Sequence, residues 1–257
     1  MSADLNNAEQ TARLALACLD LTSLNDGDDT ASIERLCAKA QTPFGNVAAV
    51  CVWPRFVAQA RALLPDAIRV AAVADFPDGE LNAARALADV QAIAQAGGQE
   101  VDVVLPYRAL MAGQVQEVAE FLAEVRHASR PLTLKVIIES GVLADAGLIR
   151  RASQLSLSAG ADFIKTSTGK TPVSATPEAA AAMLDEIRRS GLTHAGFKAS
   201  GGIRSVAQAA GYIEQARAAL GEGALNAQRL RFGASGLLDD ILAVLGGGAS
   251  TARGTGY

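Results

Sequence analysis

The amino-acid sequence predicts an α/β fold, a single-domain (β/α)8 TIM barrel, and three observations carry that prediction. Eight short apolar runs recur along the 257 residues, each followed by a longer helical pattern. Their starts lie roughly 20 to 36 residues apart, about the length of a βα unit. The runs lack strict alternation and are rich in Val, Ile and Ala, as parallel strands buried on both faces should be. No G-x-G-x-x-G follows the first run, which argues against the doubly wound alternative.

In chain order, residues 1–16 are expected as an extra N-terminal helix. The strands then read ACLDLT (17–22), VAAVCVW (47–53), IRVAAVADF (68–76) and EVDVVLP (100–106). They continue as LTLKVIIES (132–140), DFIKTST (162–168), HAGFKAS (194–200) and LRFGAS (230–235). Alanine-rich helices fill the intervals: LNAARALADVQAIAQAGG (81–98) ends in a glycine pair suited to a C-cap. TPEAAAAMLDEIRRSG (176–191) has Thr176 to cap the N-terminus, Pro177 at the first helical position and Gly191 to stop it. Residues 246–257, GGGASTARGTGY, are expected as a flexible tail on the one domain, 1–257.

Composition narrows the function classes. Lys plus Arg total 23 against 27 Asp plus Glu, a net charge of -4, which argues against a nucleic-acid or membrane surface. An anionic small molecule can still be held by a local cluster of donors. No run approaches a membrane span, and the N-terminus, MSADLNNAEQ, shows no signal peptide. Cys18, Cys37 and Cys51 form no C-x-x-C pair and read as reduced, cytosolic thiols. With two histidines, His127 and His194, and no H-x-x-x-H or Cys-His spacing, no zinc site is expected.

Charges stand where a core should be. Asp102, Lys135, Glu139, Lys165 and Lys198 all fall within expected strands. An unpaired charge there is costly, so a lumen in which two carboxylates and three amines pair is the economical location. Period-two geometry puts Lys135, Ile137 and Glu139 on one face, and Lys165 with Ser167. A purely structural ion cluster is the plainer reading. Charges near the strand ends where barrel active sites are built favour catalysis. A desolvated lysine crowded by cations sheds its proton and can attack a carbonyl to form a Schiff base. Lys165 and Lys198, on consecutive strands, suit nucleophile and neighbouring cation; composition does not say which is which.

STGKT is not a nucleotide loop, because the glycine required five positions before Gly169 is Ile164, inside a strand. Gly169 and Lys170 still suit a phosphate. Two further turns, SGGIRS (200–205) and FGASG (232–236), each open an expected helix whose N-terminus favours an anion. Phosphate sites of such barrels often follow strands seven and eight.

The segments LDLTSLN, VCVWPRF, EVDVVLPYRALMAG, LKVIIESG, AGADFIKTSTGK, GFKASGGIR and RFGAS closely resemble deoxyribose-phosphate aldolases, in order, over nearly the whole chain. The resemblance implies a cofactor-free cytoplasmic lyase of deoxyribonucleotide catabolism. It would cleave 2-deoxy-D-ribose 5-phosphate to D-glyceraldehyde 3-phosphate and acetaldehyde. It makes Lys165 the Schiff-base lysine, Lys198 the cation that lowers its pKa, and Asp102 the holder of a proton-relay water or substrate hydroxyl. Asp20 and Thr22 match substrate-shell positions at the mouth of the first strand, and Cys51 a position near the substrate, with a small buried hydrophobe equally in view. Gly169, Lys170, Gly201, Gly202, Arg204 and the turn Gly233, Ser235, Gly236 would hold the phosphate. Family members also end in a tyrosine, which makes Tyr257 a candidate proton relay.

Two departures stand out. Ala199 and Ser200 occupy places where Pro and Ala are expected, and Gly236 stands where the family often has a second serine. The main alternative is another Schiff-base barrel aldolase or a transaldolase acting on a ketose phosphate. A metal-dependent aldolase lacks ligands, and a non-catalytic sugar-phosphate barrel has no need of paired strand lysines. The expected partners are small molecules, neither nucleic acid nor membrane. A homodimer is an option the sequence leaves open.

Overall fold

The structure, a computed structural model, describes residues 2–248, with side chains from Asn7 onward. Eight parallel strands close into a barrel: β1 (Leu19–Thr22), β2 (Ala49–Val52), β3 (Arg69–Ala74), β4 (Glu100–Val104), β5 (Thr133–Ile137), β6 (Phe163–Lys165), β7 (Gly196–Ser200) and β8 (Leu230–Ala234). Each pairs with its neighbours in sequence, and β1 closes on β8 through Leu19 opposite Phe232. The outer layer runs α2 (Thr30–Lys39), α3 (Val57–Leu63), α4 (Ala83–Gln95), α5 (Val115–Ala128), α6 (Ala146–Ser158), α7 (Pro177–Ser190), α8 (Val206–Leu220) and α9 (Leu237–Leu245). An extra helix, α1 (Ser2–Ala17), precedes β1 and packs on α8 and α9, with Ala12, Ala15 and Leu16 buried.

Local chemistry accounts for the boundaries. Asp29, Asn82, Asp145, Thr176 and Ser205 each accept from the backbone N–H three residues on, satisfying a donor the helix cannot. Gly191 ends α7 at φ 69°, a left-handed conformation that costs glycine nothing. Nearly every strand side chain is buried, because one face meets helices and the other the lumen. No described helix is long and apolar enough to cross a membrane.

Two strands end three residues before the runs expected for them do. The run 132–140 leaves the sheet after Ile137, and 162–168 after Lys165. Glu139 is therefore not a strand residue: it sits at φ 53°, and its carboxylate accepts from the Thr168 and Thr171 hydroxyls (2.5 and 3.2 Å). It ties the loop after β5 to the loop after β6 and pairs with none of the three lysines. Period-two reasoning failed there because the chain had already stopped being extended. A two-residue hairpin, Gln41–Thr42 with Gly45–Asn46, was also not foreseen. Residues 249–257, which hold most of the expected tail and Tyr257, lie outside the described residues.

Candidate active site

The barrel's inward positions carry charge. Lys165 lies opposite Lys198, Lys198 opposite Arg231, and Asp102 opposite Lys135, so neighbouring strands present these side chains to one lumen. Lys165 Nζ donates to Asp102 Oδ2 at 2.7 Å. Lys198 Nζ donates to the same oxygen at 2.7 Å and to Asp20 Oδ2 at 2.5 Å. Lys135 Nζ meets Asp102 Oδ1 at 2.7 Å, Glu100 Oε2 at 2.6 Å and Asp20 Oδ2 at 3.5 Å. Arg231 closes the cluster below, donating to Asp20 Oδ1 at 2.5 Å and to Glu100 Oε1 at 2.9 Å. All seven residues are buried; Lys165 is 2 % exposed.

The two strand lysines differ electrostatically. Burial pulls the Lys165 pKa below the ordinary lysine value, and the Lys198 ammonium adds to this while Asp102 opposes it. Burial also works against the charge on Lys198, but Asp102 and Asp20 outweigh it and hold its pKa up. The environment therefore separates them: Lys165 holds its proton less tightly than an ordinary lysine, Lys198 more tightly. Asp102 stays ionised despite burial, because Lys135, Lys165 and Lys198 surround it. Burial raises the Cys51 thiol, which is free and fully enclosed, so it sits near the lysines as a neutral group.

Above this cluster, at the C-terminal ends of the strands, a cavity of about 650 Å³ is lined by Thr22, Gly169, Lys170, Gly201, Gly202, Arg204, Gly233, Ser235 and Gly236. The three glycine-rich turns therefore converge as expected. Lys170 Nζ donates to the Leu24 carbonyl at 2.7 Å across the mouth. Gly169, Gly201 and Gly202 have φ of 78°, 86° and 79°, which turn the backbone toward the opening. Gly233 is a glycine for another reason: an added Cβ would lie 2.5 Å from Ser200 Oγ and 3.0 Å from Lys198 Cε.

Some expectations need correction. Asp20 is not at the mouth but deep in the lumen, between Lys198 and Arg231; Thr22, two residues on, is the one that lines the cavity. The N-terminus of α8 is already closed, by a Ser205–Gln208 capping box and by Asp240 accepting from Val206 N, so the turn before it faces the cavity instead. α9 has Gly236 at its N-cap and so no side-chain cap. Glu100 and Arg231 were missed. Glu100 is two residues before Asp102 and so on the same strand face, a signal the sequence did offer. Among the described residues no group of three His, Cys, Asp or Glu side chains could hold a metal.

A parallel eight-stranded barrel with one lysine of lowered basicity beside a fully charged one, below a glycine-rich cationic mouth, defines the class of lysine-dependent barrel aldolases. The family profile described as "DeoC/LacD family aldolase" matches residues 14–242, and the chain belongs to that family. A deoxyribose-phosphate aldolase of Agrobacterium fabrum is 47% identical over 260 residues, covering 100% of both chains. A solved structure from Coccidioides immitis, provisionally named a deoxyribose-phosphate aldolase, is 30% identical with a TM-score of 0.76, over 89% of this chain and 85% of that one. Another provisionally so named, from Toxoplasma gondii, shares the fold with a TM-score of 0.86 at 23% identity, over 96% of this chain and 100% of that one.

Proposed function

We propose that this aldolase reversibly cleaves 2-deoxy-D-ribose 5-phosphate to D-glyceraldehyde 3-phosphate and acetaldehyde through a Schiff base on Lys165. The observation that carries it is the pair of amines on one Asp102 oxygen, only one of them lowered in basicity, under a cavity with Lys170 and Arg204 at its rim. The neutral Lys165 amine adds to the C1 aldehyde, and the carbinolamine loses water to give the imine. The protonated imine draws the electron pair of the C2–C3 bond as the C3 hydroxyl loses its proton. D-Glyceraldehyde 3-phosphate departs, leaving an enamine. A proton at C2 and hydrolysis by water then release acetaldehyde and the free amine.

Asp102 lies at the amine and suits proton transfer with a water or the substrate hydroxyl there. Lys198 supplies the neighbouring positive charge. The phosphate belongs to the turn glycines with Lys170, Arg204, Ser235 and Gly236, and Thr22 faces the sugar. Three free, buried cysteines support the cytoplasm as its compartment. Tyr257 is assigned the proton delivered to C2: Tyr257→Phe should retain trapping while deuterium exchange into acetaldehyde falls about 10²-fold. Exchange at the wild-type rate removes that assignment.

Borohydride added with acetaldehyde or substrate should inactivate the enzyme, with the adduct on Lys165 by peptide mapping. An adduct on Lys198 or Lys170 would overturn the reading. Exchange of acetaldehyde without reaction of dihydroxyacetone phosphate separates it from ketose-phosphate chemistry.

A further inference from the structure

The lumen cluster has an imbalance of charge. Asp20, Glu100 and Asp102 are its three carboxylates; Lys135, Lys165, Lys198 and Arg231 are its four cations, and all seven are sealed from solvent or nearly so. An enclosed site holds uncompensated charge poorly, so the surplus is relieved where a proton is least well held. The distances say where. Lys135 faces three carboxylates within 3.5 Å, Lys198 faces two within 2.7 Å, and Arg231 faces two within 2.9 Å. Lys165 faces one, through an oxygen it shares with Lys198.

We propose that Arg231 is a positioning residue of the reaction: it is the fourth cation, and its charge leaves the cluster one positive charge in excess, so that Lys165 rests neutral. The inference builds on the reading of Lys165 as the Schiff-base amine. Arg231 touches no group of the mouth cavity. It lies at the opposite end of the barrel, where it lines a basal cavity of about 540 Å³ with Glu100, Asp66, Arg69, Asp162 and His194. Its Nε donates to the Ala227 carbonyl, and its guanidinium spans Asp20 and Glu100. A guanidinium suits this place because it does not shed its own proton. The other titratable groups facing the cluster, Cys18 behind β1 and Cys51 on β2, are thiols raised by burial, Cys18 to about 12, and add no charge.

The test follows the pH midpoint of borohydride trapping by acetaldehyde at Lys165 in the full chain, with thermal melting to verify folding. Arg231→Met should move the midpoint up by about one unit or more and slow trapping at pH 7 about tenfold. Arg231→Lys should stay near wild type. Arg231→Met combined with Glu100→Gln deletes one cation and one anion, restores the single surplus charge, and should bring the midpoint back. A folded Arg231→Met with the wild-type midpoint, or a double variant that stays with the single one, overturns the proposal. If Arg231→Met does not fold, Glu100→Gln alone decides, since it raises the surplus and must lower the midpoint; an unchanged or higher midpoint overturns the proposal. Absence of any Lys165 adduct in the wild type would instead sink the functional reading, so the two failures are distinguishable.

Discussion

Lys198 and Lys165 share Asp102 Oδ2, yet they are not interchangeable, because Asp20 belongs to Lys198 alone of the two. Removing the Lys198 charge removes the nearest repulsion on Lys165 and leaves Asp102 to stabilise its protonated form. Lys198→Leu should therefore raise the Lys165 pKa toward the free-lysine value of about 10.4. Activity at pH 7 should fall steeply and recover as pH rises, read as a shifted pH profile of kcat/KM. A profile superimposable on wild type would give Lys198 a different role. At the same scale, Gly236 has nothing within 4 Å of an added Cβ, so the missing serine hydroxyl is not excluded by space.

Among the elements, the loops after β6, β7 and β8 carry the three glycine-rich turns proposed for the phosphate, and each is fixed by a different device. Glu139 clasps Thr168 and Thr171 in the first. The second is held by Gly201 N donating to Gly233 O at 3.3 Å and by the self-capped start of α8. The third runs straight into α9. Because the turns are held by the protein's own contacts, truncating a side chain at their rim should weaken phosphate contact and little else. Lys170→Ala or Arg204→Ala should raise KM for deoxyribose 5-phosphate by about 10-fold to 100-fold, since a charge-assisted contact contributes about 1.5–3 kcal/mol. KM for unphosphorylated deoxyribose should hardly move. Equal losses on both substrates would place these residues away from the phosphate. All three turns were legible from their glycines, and the Ser205–Gln208 capping box of α8 is a local pattern; that Asp240 also closes this helix start was not legible, since it is brought from α9.

For the whole molecule, the stability has a pH dependence written at Asp75, just past β3. Asp75 is fully buried at φ 49°, neither carboxylate oxygen has a hydrogen-bond partner, and Arg85 Nε is 3.7 Å away. Burial pushes its pKa up to about 7; Arg85 opposes this, while Glu80, Asp89 and Asp78 reinforce it. The folded chain thus holds the proton more tightly than the unfolded chain does. The stabilisation is fully present below the unfolded value of about 3.9 and is lost as pH rises through about 7, a few kcal/mol at most. Asp75→Asn, which keeps the shape without the ionisation, should melt several degrees above wild type at pH 8.5, with the gap narrowing as pH falls and nearly closed by about pH 4. Parallel melting curves across that range would refute the account.

What the sequence determined by itself is the barrel and the candidates for its chemistry. Strand periodicity, turn glycines and caps are local properties, and Lys165, Lys198 and Asp102 are charges set inside strands that have no other use for them. What only the tertiary structure decided is how those charges share one enclosure. Closing β1 onto β8 brings Asp20 against Lys198 and Arg231, residues 178 and 211 positions away, and so makes Asp20 a lumen residue rather than a mouth residue. Sequence spacing cannot choose between two lysines of the same kind. The choice falls to burial and to the number of carboxylates each one meets, which exist only once the barrel has closed.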